Sequence, residues 1–166
     1  VNLKEKILSI VLDILWLLLG AFLNIFYPSI LSFSGLLPNF LLIFSVLLVF
    51  TKNFIGIGPL IVIISVVDSM WRGINPGINA SSLIVSIGLI YFIFHRLWSS
   101  KWIIVTSIFL VTVVYFLVSF PLIYINKIGI LSFKDALNLG LVQGIYNTII
   151  GTIVLLSFKR YLKLDR

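Results

Sequence analysis

The sequence predicts an all-α integral membrane protein: one domain over residues 1–166, built as a six-transmembrane-helix bundle. Three observations carry that prediction. Apolar residues make up 61% of the chain and charged residues 10%. The 12 basic and 5 acidic side chains are too few to wet the surface of a soluble protein of 166 residues. Most apolar stretches show no periodic sorting of polar from apolar positions, which is the pattern of helices that are hydrophobic all round and lie in lipid.

The helices are expected at about residues 7–26, 36–51, 55–70, 78–94, 102–125 and 136–158. Lys4 and Lys6 ahead of the apolar run from Ile7 look like the start of a signal peptide. No small-x-small cleavage site follows, and further apolar segments do, so the run is expected to stay as the first helix. Tyr27-Pro28-Ser29 ends that helix, because proline lacks the amide donor and clashes with the preceding turn. Pro38 sits where a helix can begin. Lys52-Asn53 separates the second and third segments, and Gly73-Ile74-Asn75-Pro76-Gly77 is a turn by composition. Ser99-Ser100-Lys101 separates the fourth and fifth, and the stretch from Asn126-Lys127 to Lys134-Asp135 separates the last pair. The second and third segments have 16 residues each. At about 1.5 Å per residue that is about 24 Å, less than the usual hydrocarbon thickness. They form a tight hairpin, or do not quite span, or sit in a locally thinned bilayer, and in each case they return the chain to the side it left.

Charge placement predicts orientation. With the amino terminus inside, Lys4, Lys6, Lys52, Arg96, Lys101, Lys159, Arg160, Lys163 and Arg166 are cytoplasmic, and only Arg72, Lys127 and Lys134 are outside. Nine against three over short loops follows the positive-inside rule, with both termini cytoplasmic. Trp71, Trp98 and Trp102 fall at expected interfaces, as anchors should. The net charge of +7 therefore sits at the ends of apolar runs rather than in a patch. It suits anionic lipid heads, not nucleic acid.

Enzyme chemistry is not expected. The chain has no cysteine and a single histidine, His95, at an inner helix end beside Arg96. No paired carboxylates, nucleophile–base pair, phosphate loop or metal-ligand spacing is present, so no catalytic residue, cofactor or metal is assigned. Asn79-Ala80-Ser81 matches a glycosylation sequon but abuts a membrane helix.

Polar residues within apolar segments are costly, and each calls for a reason. Ser65, Asp68 and Arg72 step by three and four and share a helix face, so Asp68 and Arg72 can pair near the outer surface. The next turn adds Asn75, Pro76, Gly77 and Asn79. This group reads either as a polar, partner-docking edge or as a salt bridge closing a helix end. Asp13, Gly20 and Asn24 share a face of the first helix, and Asp13 lies about 9 Å past its start. Lys52 and Lys159 are its candidate partners in a structural ion pair, and no second carboxylate at matching depth supports a proton relay. Asn39 follows Pro38 at the opening of the second segment. The sixth helix carries Gly140, Gln143, Gly144, Asn147, Thr148 and Gly151. Its small-xxx-small step allows close backbone approach, inside the bundle or, alternatively, between subunits. Gln143 and Asn147 can bond each other or a neighbour. Thr112, Tyr115 and Ser119 share a face of the fifth helix and suit ordinary interhelical hydrogen bonds.

Taken in order, these residues resemble the MreD family of rod shape-determining membrane proteins. Pro38-Asn39 before Phe40-Leu41-Leu42-Ile43 is similar to that family's second-helix opening. Gly56-Ile57-Gly58, Asp68 and the turn with Gly77-Ile78-Asn79-Ala80 are similar to its glycine-rich helix, helix-end aspartate and following turn. Gln143-Gly144-Ile145-Tyr146-Asn147 before a basic tail resembles its last helix. The match is most specific over residues 36–86, and it departs at 59–67, which hold fewer small residues than many members have. The resemblance implies a non-enzymatic scaffold in the bacterial cytoplasmic membrane, serving the elongasome that builds the lateral wall. It implies binding to MreC and, through it, connection to MreB, RodA and a class B penicillin-binding protein. It also implies a fold similar to the substrate-binding subunits of energy-coupling-factor vitamin transporters. Membership of that transporter class is the alternative function. Such a subunit is expected to carry spaced alanines on its first helix, where this chain has only Ala21.

Overall fold

The computed structural model describes residues 3–26, 37–52, 54–94, 101–125 and 132–157. Every regular element among them is helical: α1 (Leu3–Phe26), α2 (Phe40–Thr51), α3 (Phe54–Arg72), α4 (Pro76–Phe94), α5 (Lys101–Ile125) and α6 (Phe133–Ser157). The proline turn at 27–29, His95, Arg96, Trp98, Lys127, the end of the last helix at 158 and the basic tail with Lys159 lie outside the described residues.

The helix boundaries have local causes. α1 begins four residues before the expected Ile7, because Lys4 and Glu5 are good helix formers and Glu5 complements the positive end of the helix. α3 is 19 residues rather than 16. It closes in a Schellman arrangement: Gly73, at φ 66°, donates to Met70 O and Ile74 donates to Ser69 O at 2.9 Å. α4 begins at Pro76, two residues before the expected Ile78, with Asn75 as its cap. The Asn75 Oδ1 accepts from Gly77 N at 3.0 Å and Ile78 N at 3.2 Å. α6 starts at Phe133 instead of Ala136, because Ser132 and Asp135 form a capping box. Asp135 N donates to Ser132 Oγ at 3.1 Å, and Ser132 N donates back to Asp135 Oδ2 at 3.3 Å.

The second helix departs most from expectation. It starts at Phe40 rather than 36 and has 12 residues. Residues that precede a proline are pushed out of the α region, so Leu37 stays outside the helix, and Asn39 caps it. At about 18 Å it is well short of a bilayer's hydrocarbon. The other five helices, of 19 to 25 residues, are long and apolar enough to cross.

α2 is the core of the molecule. Every residue from Phe40 to Val49 is buried, and α2 packs against each of the other five helices. A helix whose only polar side chains are Ser45 and Thr51 has no polar face to give to water, so the interior is its stable place. Around it α1, α3, α4, α5 and α6 follow one another as packed neighbours, with α3 rather than α2 beside α1 in that ring. The ring does not close: among the described residues α1 and α6 both lie against α2 without meeting. Large apolar side chains are exposed on all five outer helices, for example Leu15, Ile63, Leu89, Trp102 and Ile149, and on none of α2. Buried positions meanwhile include Asp13, Asn24, Ser65, Asp68, Asn79, Gln143 and Asn147. Apolar outside and polar within is the arrangement of an all-α, multi-pass membrane protein.

Candidate functional site

The polar residues gather in two places. At one end, Lys52 Nζ closes the carboxylate of Asp13 and bonds Ser9 Oγ at 2.8 Å. This ties the end of α2 to the beginning of α1. The Asp13 side chain is 4% exposed and that of Lys52 36%, so the ammonium reaches inward from the bundle's rim on a flexible stem.

The larger group surrounds the start of α2. A helix start leaves backbone N–H groups without intrahelical partners, and within a bilayer the protein must supply those partners. Here three asparagines do so. Asn39 Oδ1 accepts from Leu42 N at 3.1 Å. Asn24 Oδ1, from α1, accepts from Phe40 N at 2.7 Å. Asn147 Oδ1, from α6, accepts from Asn39 N at 3.0 Å. The Nδ2 groups of Asn24 and Asn147, with Gln143, carry the network outward. Asn24 Nδ2 donates to Asn39 Oδ1 at 3.3 Å and reaches Asp68 Oδ1 at 3.5 Å. Asn147 Nδ2 donates to Thr112 Oγ1 at 3.2 Å, and Gln143 Nε2 donates to Asn147 Oδ1 at 3.2 Å and to Leu37 O.

Asp68, wholly buried, holds Arg72 one turn on along α3. Through Asn24, which bonds both, the Asp68 carboxylate is linked to the positive end of α2. Ser65 shares the face, as its spacing predicts, but donates to Val62 O rather than to Asp68. Across the next turn, Asn79 Nδ2 donates to Ser69 Oγ at 2.6 Å, and Tyr115 OH donates to Asn79 Oδ1. Asn79 is thus a buried strut between α3, α4 and α5, and its side chain is closed to a glycan. In the turn itself, Asn75 and Gly77 are exposed, Arg72 and Pro76 half-buried, and Trp71 exposed.

The glycines place the helix contacts. A Cβ at Gly20 would lie 2.7 Å from Phe44 Cδ2 and 3.1 Å from Leu41 Cα, so Gly20 lets α1 press on α2. Gly140 faces Val113 and Phe116, Gly144 faces Phe109, and Gly151 faces Ile108 and Ile43. The small-residue stripe of α6 is therefore packed inside the bundle, against α5 and α2.

Two cavities open off the network. One, of about 570 Å³, is bounded by Asn24, Asn39, Arg72, Tyr115, Gln143 and Asn147, with Trp71 and Ile74 among its other walls. The second, of about 430 Å³, lies between the α3–α4 turn and the α5–α6 pair. It shares Ile74, Tyr115 and Phe116 with the first. Thr112, Tyr115 and Trp71 are the site residues that sequence reasoning passed over as ordinary contacts or anchors. The three-and-four stepping of Thr112, Tyr115 and Ser119 along one face was their available signal. Among the described residues no cluster of histidine, cysteine, aspartate or glutamate is able to hold a metal ion.

Comparison with known proteins finds nothing: no family model, curated protein or solved structure matches the chain.

Proposed function

We propose that this chain is a non-enzymatic scaffold of the MreD type. In this reading it sits in the bacterial cytoplasmic membrane with both termini inside and binds the single-pass protein MreC. All six helices then count as crossings, the short α2 being completed at its ends by the protein around it. The observation that carries the reading is one of convergence. The three stretches that bear the resemblance are far apart in sequence: Pro38-Asn39, the Asp68 helix end with its turn, and Gln143 to Asn147. They meet in one hydrogen-bonded network, where Asn39 bonds Asn147 and Asn24 joins Asn39 to Asp68. The network's polar atoms bond mainly one another and the backbone, as befits a structural centre rather than a reaction site. The docking edge in this account is the exposed part of the same end, with Trp71, Arg72, Asn75 and Gly77 braced from beneath by Asp68 and Asn79. Docking between helices in lipid rests on packing and hydrogen bonds. Affinity purification of the tagged full chain from a rod-shaped bacterium should enrich MreC together with RodA and a class B penicillin-binding protein. No enrichment of MreC over an unrelated multi-pass control overturns the reading.

One observation favours the alternative, a vitamin-binding subunit of the energy-coupling-factor type: the 570 Å³ cavity with amide, guanidinium and aromatic walls. Against it, Ala21 is buried, and the outward face of α1 presents Leu8, Val11, Leu15 and Leu18 instead of small residues. Nanomolar vitamin binding by the purified protein would reverse the ranking.

A further inference from the structure

We propose that the two cavities are the two lobes of one site for an amphiphile that carries a phosphate or carboxylate head and an apolar tail. This goes beyond the scaffold reading and does not depend on it.

The head lobe is defined by Arg72. Asp68 engages its Nη2, and its Nε is buried without any hydrogen-bond partner. A buried donor left unpaired is costly, and a guanidinium presents a planar fork that an oxyanion fills with two oxygens. The side chain is 26% exposed and lines the cavity, so the guanidinium is approached from there, while Nε itself stays covered until a ligand oxygen replaces what packs on it. Asp68 does not use up the arginine, and it holds the guanidinium in place. Trp71 stands exposed at the rim, as an aromatic residue does at the level of lipid head groups.

The tail lobe follows from helix lengths. α4 begins only three residues before Asn79, whereas α5 runs on for ten residues beyond Tyr115, to Ile125. The two positions lie at the same level, because Tyr115 bonds Asn79. α6 has seven residues ahead of Gly140, which faces Val113 and Phe116 and so lies at the level of Tyr115. The α5–α6 pair therefore overhangs the start of α4, by about 10 Å on α5 and about 6 Å on α6. Beneath that overhang lies the second cavity, walled largely by Ile74, Ile78, Phe116, Ile123 and Leu139. A polar lobe with a half-satisfied cation joins an apolar lobe across Ile74, Tyr115 and Phe116, and each lobe falls within the size range of ligand sites. The charged donor selects an oxyanion, and the apolar extension selects a chain attached to it.

The test uses the purified full-length protein in a maltoside detergent. Native mass spectrometry and melting temperature are followed with dodecyl phosphate, dodecanol, inorganic phosphate and phosphatidylglycerol. Dodecyl phosphate should bind saturably at one site and raise the melting temperature, with dodecanol and inorganic phosphate each at least tenfold weaker. Displacement of co-purified phosphatidylglycerol by dodecyl phosphate assigns the site to a membrane lipid. Binding of dodecyl phosphate with no lipid to displace assigns it to a diffusible amphiphile. Ile74→Trp places bulk where the lobes join and leaves Arg72 and Asp68 untouched; it should weaken binding at least tenfold while melting cooperatively. The paired change Asp68→Asn with Arg72→Gln removes both charges together and should abolish the preference for dodecyl phosphate over dodecanol. Equal binding of dodecanol, tight binding of inorganic phosphate alone, or undiminished binding by a folded Ile74→Trp protein overturns the proposal.

Discussion

Asn24 stands where an apolar side chain of the same size would leave the N–H of Phe40 unpaired in the middle of the bundle. Replacing it by leucine should therefore cost about 1–3 kcal/mol, the penalty of a buried donor without a partner, despite adding apolar surface. Thermal unfolding in detergent measures this. Asn39→Ala removes the self-cap of α2 and the acceptor of Asn24 Nδ2, and should cost about 1–2 kcal/mol by the same measurement. At the other end, Lys52→Met strands the buried carboxylate of Asp13. The lysine is about a third exposed, so solvent screening holds the expected loss to about 1–3 kcal/mol, less than for a fully buried pair. Adding Asp13→Asn to Lys52→Met should recover most of it, and additive losses across that double-mutant cycle would show that the pair is not coupled. Several of these roles are legible in the sequence. The spacing of Asp68 and Arg72 gives their pairing, and Asp13 has Lys52 among its two candidate partners. What spacing does not carry is the meeting of Asn24, Asn39 and Asn147. Each has an intelligible position on its own helix, but Asn39 and Asn147 are 108 residues apart, and their bond depends on where α2 is placed.

The turn at 73–77 was legible in the sequence, but the caps that set the helix ends were not read from it, although their signals are short-range. Capping chemistry is local: Asn75 before Pro76, the box at Ser132–Asp135 and the left-handed Gly73 all follow from neighbours a few residues away. The length of α2 was misjudged because hydrophobicity runs on through Leu36 and Leu37, while helicity stops where Pro38 and Asn39 dictate. Its central place was hidden as well, since a helix with no polar face carries no signal of direction. The glycines discriminate between contact and free surface. Gly20→Ala drives a methyl into Phe44 and the backbone of Leu41 and should destabilise by about 1–3 kcal/mol. Gly56→Ala meets nothing within 4 Å and should be neutral or stabilising by up to about 1 kcal/mol, through reduced freedom of the unfolded chain. Comparing the two melting temperatures separates helix packing from a general intolerance of alanine.

At the scale of the molecule, the arrangement inverts that of a soluble protein. Aliphatic side chains cover the five outer helices, and amides, hydroxyls and, among the described residues, two ion pairs lie within. Composition made that class legible at once, because 10% charged residues leave no other surface for the chain to present. Composition does not fix how many helices reach across. Five have the length, and the sixth serves as the post around which they stand. This post-and-ring plan also explains the polar network: a helix that begins inside the bundle needs donors answered from several directions, and α1 and α6 supply what α2 alone cannot. The chain has no cysteine, so single cysteines introduced into the intact membrane report their surroundings without background. A lipid-soluble maleimide applied to variants at Leu42 and Val46 of α2, and at Ile145 and Ile149 of α6, measures the plan directly. Labelling at the two α6 positions with none at the two α2 positions is the predicted result; labelling of α2 at the rate of α6 would contradict it.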